Sequence, residues 1–267
     1  MIPSDFVDLA PGTDGAARLR FDEARASAFA KGVAGDFNPL HDPGDRRFCV
    51  PGDLLFAVLL EHYGLHRETS VGFASMVDAN ASLALPALPP GGVVHVTDAR
   101  GREALAFFAA GEPVGARAFE RALALECVRF SGRTFPDVLV PLMRERGVMV
   151  NPERPLIIYK DMAIRLDAGV EVDADVAPAL EHGAHELAVA GRKGTASLRF
   201  TILDGAGHRL GEGEKNFVLG GLREHDEATV EALVAEYAAR RERWTQDPAT
   251  RDAPGVAAAG APAGAAR

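Results

Sequence analysis

The stretch Gly35-Asp36-Phe37-Asn38-Pro39-Leu40-His41 places a carboxylate, an amide and an imidazole in one short segment. A carboxylate and an imidazole that share a water can take a proton from it and hand one on, which is general acid–base chemistry. Pro39 fixes the direction of the backbone between Asn38 and His41. Shortly after, Val50-Pro51-Gly52 opens an apolar segment. If that segment is a helix, its first N–H groups are unpaired donors in a positive local field.

The surrounding sequence predicts how these groups are held. A strand fits Ala16 to Phe21, Asp22 is an N-cap, and a helix over Glu23 to Ala34 stops at Gly35. Pro39, Pro43 and Gly44 make Asp36 to Asp45 a loop. The next helix, Gly52 to Tyr63, is apolar on nearly every face, so it must be buried. Strand-like stretches follow at Val71 to Leu85, Val93 to Arg100, Glu103 to Ala110 and Val114 to Leu125, enough to wrap one helix. The order then repeats: a helix over Phe135 to Arg146 interrupted by Pro141, then strands at Leu156 to Leu166, Glu186 to Gly191, Thr195 to Leu203 and Arg209 to Leu219. Asp226 to Trp244 is an amphipathic helix with Val230, Leu233, Val234, Tyr237 and Ala238 on one face. Beyond Gln246, Ala, Gly and Pro dominate, which predicts a disordered tail.

The reading is therefore α+β, two halves in tandem, each a helix wrapped by an antiparallel sheet: 1–128, 129–225, a C-terminal helix 226–245 and a tail 246–267. The halves repeat in architecture and not in residue identity, so a single larger β-rich domain stays open. A net charge of −9 argues against a nucleic-acid binder. Cys49 and Cys127 have no metal-type or disulfide spacing, which points to a reducing cytoplasm, and no cofactor or metal is called for. Met1 to Asp8 does not read as a signal peptide, and Leu54 to Leu60 is far shorter than the roughly 20 residues of a membrane span.

Three motifs resemble the MaoC-like hydratases of the hot-dog superfamily, which include (R)-specific enoyl-CoA hydratases. Asp36-Phe37-Asn38-Pro39-Leu40-His41 matches their Asp-x-Asn-Pro-x-His. Pro51-Gly52-Asp53-Leu54-Leu55 stands where the family usually has His-Gly, and Leu88-Pro89-Pro90-Gly91-Gly92-Val93-Val94 resembles their Pro-Gly turn before a strand. The likeness covers the first half of the chain; the second half has no such motif, and a bacterial relative family of unknown function is also indicated. The resemblance implies a tandem hot-dog hydratase or dehydratase of fatty acid metabolism. Its catalytic pair would be Asp36 and His41, with Asn38 fixing the loop or orienting His41 and the Gly52 N–H donating to a thioester carbonyl. It further implies an acyl-CoA or acyl-carrier-protein thioester as partner and a possible homodimer; Arg46 and Arg47, which follow the loop, are candidate contacts for the carrier's phosphates. The catalytic Glu that related carrier-protein dehydratases hold in the helix is replaced here by Ala57.

The same residues allow a second reading, in which Asp36 and Asn38 only cap helices and the protein is a binder of acyl thioesters or a regulatory protein without turnover. A thioesterase is a third. His62 with His66, and His182 with His185, have spacings that could chelate a metal, but a solvated helix end and an exposed turn explain them better. Gly191-Arg192-Lys193-Gly194-Thr195 lacks phosphate-loop spacing and reads as a hairpin turn. Arg46 and Arg47 are equally consistent with an exposed pair, and Cys49 reads as buried filler.

Overall fold

A computed structural model describes residues 3–12, 14–132, 134–173 and 175–247. In chain order the regular elements begin with β1 (Val7–Pro11), β2 (Ala17–Phe21), α1 (Glu23–Ala28) and α2 (Gly52–Tyr63). There follow β3 (His66–Phe73), β4 (Ser82–Leu85), β5 (Val93–Thr97), β6 (Glu103–Pro113), α3 (Arg117–Gly132), α4 (Val140–Glu145) and β7 (Val148–Met149). The chain continues through β8 (Leu156–Leu166), β9 (Ala179–Ala190), β10 (Lys193–Leu203), β11 (Arg209–Gly220), β12 (Arg223–Glu224) and α5 (Glu227–Gln246).

Ten strands form one sheet in the order β1-β2-β4-β5-β6-β3-β8-β11-β10-β9, with β3 and β8 paired antiparallel at a seam between β6 and β11. Outward from that seam one side runs β3, β6, β5, β4 and the other β8, β11, β10, β9. Each series is four strands that follow a helix and lie in the same order, so the repeat is a property of topology. The fold is α+β, a double hot-dog whose two halves pair within the chain.

Helix α2 is buried from Asp53 through Leu60, because its side chains are apolar all round. Each large apolar side chain there contributes roughly 1.5–3 kcal/mol by leaving water. The second half is served by α3, which packs against α2 and buries Phe119, Leu123, Cys127 and Val128.

That helix corrects two expectations. Val114 to Leu125 is not a strand: Phe119, Leu123 and Cys127 recur every four residues, and the helical period wins once that face meets α2. The segment Phe135 to Arg146 is not the wrapped helix of the second half but a π-turn, Phe135–Leu139, running into α4, where Pro141 is tolerated in the first turn. The expected boundary after residue 128 falls inside α3. Val71 to Leu85 is two strands, β3 and β4, separated by residues 74–81. Residues 248–267 of the expected tail lie outside the described residues.

Candidate functional site

Asp22 caps α1 by accepting the Arg25 N–H at 2.9 Å. After α1 the chain widens into a π-turn, Phe29–Ala34, which Gly35 ends in the left-handed conformation with φ of 72°. The loop that follows is stiffened from within. Asn38 N–H donates to Asp36 Oδ1 at 2.9 Å, and Leu40 N–H donates to Asn38 Oδ1 at 3.1 Å. Both side chains therefore stiffen the loop itself: Asp36 closes an Asx turn and Asn38 caps the short turn that begins at Pro39.

Pro39–His41 makes a single 3-10 turn and leaves His41 only 8% exposed. His41 Nδ1 lies 2.7 Å from the Cys49 carbonyl. A carbonyl can only accept, so Nδ1 carries a hydrogen and Nε2 is the nitrogen turned to Asp36 Oδ2, at 3.5 Å. Burial pushes the His41 imidazole down, but the hydrogen bond and charge of Asp36, with the Cys49 carbonyl and the Asp53 charge, push it up by more, so its pKa is raised overall.

The loop is covered by α5. Tyr237 Oη accepts the Phe37 N–H at 3.0 Å and lies 3.0 Å from the Gly132 carbonyl, 3.2 Å from that of Gly35 and 3.4 Å from Asp36 Oδ1. Asp42 anchors the same helix through Arg240 at 2.7 Å, and also pairs with Lys31 at 2.6 Å. Beneath α5 lies a cavity of about 340 Å³. Its polar lining includes Asp36, Asn38, Ser131, Thr134 and Tyr237, its apolar lining Phe135, Leu139, Ile157, Phe217 and Leu233, and the charged side chains Arg47, Glu153, Glu236 and Arg240 also border it.

The residues singled out from sequence do not all meet there. Asp36 and His41 come together, and Asp36, Asn38 and Arg47 border the cavity. His41, Gly52 and Arg46 are outside its wall. The start of α2 is pressed against an aromatic ring instead: a Cβ built on Gly52 would stand 2.7 Å from Tyr159 Cδ1. Burial pushes the Cys49 thiol up to about 11, which fits filler and not a nucleophile.

Sequence reasoning missed a buried charge cluster beside the cavity. Lys215, on β11 and 0% exposed, donates to Asp53 Oδ1 at 2.9 Å, to the Cys127 carbonyl at 2.5 Å and to Ser131 Oγ. Ser131 Oγ in turn donates to Asp53 Oδ1 at 2.9 Å. Burial raises the Asp53 carboxyl, and Lys215 and Ser131 lower it by less. The signal was legible by parity, because Lys215 shares the inward face of its strand with Gly213, Phe217 and Leu219. Tyr159 sits by the cluster, its ring 5.3 Å from Lys215 Nζ, with its hydroxyl buried and without a hydrogen-bond partner among the described residues.

Among the described residues no group of three His, Cys, Asp or Glu side chains could hold a metal ion. His182 and His185 do meet, with ring nitrogens 3.1 Å apart on the edge strand β9, and Gly191 and Arg192 turn the β9–β10 hairpin. No helix of the described residues is long and apolar enough to cross a membrane.

The profile of the family described as "Protein of unknown function (DUF3581)" matches residues 13–228. No curated protein matches the sequence. Among solved structures, an acyl-CoA thioesterase II, TesB2, from Mycobacterium marinum is similar at 12% identity and a TM-score of 0.40, over 85% of this chain and 99% of that one. A conserved protein of unknown function with a hot dog fold from Alicyclobacillus acidocaldarius is similar at 12% identity and a TM-score of 0.43, over 81% and 97%. A MaoC-like dehydratase is similar at 10% identity and a TM-score of 0.36, over 79% and 97%.

Proposed function

The chain belongs to the DUF3581 family, and since that description assigns no activity, we propose from the site itself that it is a hydratase or dehydratase of enoyl or 3-hydroxyacyl thioesters carried by coenzyme A or acyl-carrier protein. One observation carries the reading: the Asp36 carboxylate borders an apolar-walled cavity with the His41 imidazole at its back. Apolar walls accept an acyl chain, and a carboxylate among them can work on a water beside the double bond.

In the hydration direction Asp36 takes a proton from the water as the water oxygen bonds to the β-carbon. The π pair moves through the α-carbon to the carbonyl oxygen, giving an enolate. The enolate collapses by taking the same proton from Asp36 at the α-carbon, which returns the carboxylate; dehydration is the reverse. Because His41 is set behind Asp36, it acts as the charge partner that holds the carboxylate through Nε2, and Asp36 alone touches the reacting water. Arg47 is exposed at the cavity's edge, and in this reading its guanidinium meets a phosphate of the carrier; Arg46 is exposed beside it.

The test is the loss of conjugated-thioester absorbance on adding trans-2-enoyl-CoA of short and long chains. Turnover that vanishes in Asp36→Asn and His41→Ala, with the fold retained, supports the enzyme. The placement of His41 outside the cavity wall favours one other reading, an acyl-thioester-binding protein without turnover. Tight acyl-CoA binding with unchanged absorbance at every chain length would decide for it.

A further inference from the structure

Forming an enolate requires a donor at the thioester carbonyl, and the donor expected at the start of α2 is not in the cavity wall. We propose, resting on the hydratase reading, that Ser131, gripped by the buried Asp53–Lys215 pair, is the hydroxyl that polarises the substrate carbonyl.

Ser131 is the one member of the buried cluster that borders the cavity, and Asp36 borders the same cavity. All three hydrogens of the Lys215 ammonium are engaged, on Asp53 Oδ1, the Cys127 carbonyl and Ser131 Oγ. An ammonium donating to a hydroxyl oxygen draws density from it and makes its O–H a stronger donor, more so where the local dielectric is low. In the free protein that O–H is directed to Asp53 Oδ1. When it turns to a carbonyl, Asp53 keeps Lys215 as its partner, so no charge is stranded. The hydroxyl is therefore both activated and releasable.

A lysine with 0% exposure is costly to bury even when paired, and such pairs concentrate where charge has work to do. A purely structural role is the competing explanation, since the cluster joins α2, α3 and β11. The two roles separate in Ser131→Ala, which leaves Asp53 and Lys215 facing each other.

With trans-2-hexenoyl-CoA as substrate, Ser131→Ala is expected to lose about 10²–10³-fold in kcat with KM little changed, and Ser131→Thr to recover much of that loss. The carbonyl stretch of bound substrate labelled with ¹³C at the carbonyl, read by difference infrared spectroscopy, is expected at higher frequency in Ser131→Ala than in wild type. A structural role would move neither the stretch nor the kcat-against-KM split. Wild-type kcat and an unshifted stretch in Ser131→Ala, with Asp36→Asn inactive, overturn the role of Ser131 and leave the hydratase standing. No turnover by the wild-type protein at any chain length overturns both.

Discussion

Tyr237 Oη and Asp36 Oδ1 lie 3.4 Å apart across 201 residues of sequence, and the same phenol oxygen accepts the Phe37 N–H at 3.0 Å. A single hydroxyl on the last helix thus anchors the loop that carries the carboxylate. Tyr237→Phe strips the Phe37 N–H of its acceptor and the Gly132 carbonyl of a donor. Each half-buried group so exposed costs about 1–3 kcal/mol where water cannot replace the partner. The urea midpoint should fall and turnover should fall with it, because Asp36 loses its fixed direction. A midpoint and rate equal to wild type would mean that α5 merely leans on the loop.

The raised pKa of His41 sets a second expectation. A histidine whose folded pKa lies above its unfolded value, about 6.5, contributes stability that is complete below 6.5 and is lost as pH rises through the folded value. Asp36 supplies much of the upward push, so Asp36→Asn should be less stable than wild type at pH 5.5, with the gap closing as pH rises. The His41 ring resonance in NMR should titrate above 6.5 in wild type and lower in Asp36→Asn. A gap that widened with pH would contradict the ion pair.

Lys215 and Asp53 test the cost of a buried pair. Removing one partner leaves an uncompensated buried charge and is expected to cost about 3–5 kcal/mol, whereas apolar replacement of both is often close to neutral. Lys215→Met should therefore unfold at much lower denaturant than wild type, and Asp53→Leu added to it should restore most of the loss. If the double variant is as unstable as the single one, the bonds from Lys215 to Cys127 and Ser131, and not the charge pairing, hold the junction.

What the sequence disclosed follows from periodicity. Helix α2 and the strands β5, β10 and β11 announce themselves through apolar runs or alternation, and the hairpin at Gly191 through its turn residues. Helix α3 was hidden because Ala118, Ala122 and Ala124 interleave with Phe119, Leu123 and Leu125 and imitate alternation. Asp36 and His41 were legible as a motif, but local sequence cannot say which member of a pair borders a cavity. Tyr237 and Ser131 were out of reach for a different reason: they join the loop and the cavity only after distant helices pack, and no spacing in the chain encodes that.

Gly52 distinguishes packing from chemistry at the start of α2. A Cβ there would meet Tyr159 Cδ1 at 2.7 Å, and the ring cannot retreat, since Phe73 lies 4.6 Å away on centroids and Phe217 stacks at 5.0 Å. Overpacking of this kind costs about 1–3 kcal/mol, more than the roughly 1 kcal/mol that alanine can return over glycine in a helix. Gly52→Ala should therefore be destabilised, and less so in a Tyr159→Leu background, where the added methyl has room; a double-mutant cycle measures that coupling. Tyr159→Phe alone should cost little, because the hydroxyl it removes has no partner among the described residues. Since Gly52 is outside the cavity wall, Gly52→Ala should lower stability and leave most of kcat. If instead it abolishes turnover in a protein that is still folded, the added methyl reaches the substrate, and the start of α2 borders the reacting atoms after all.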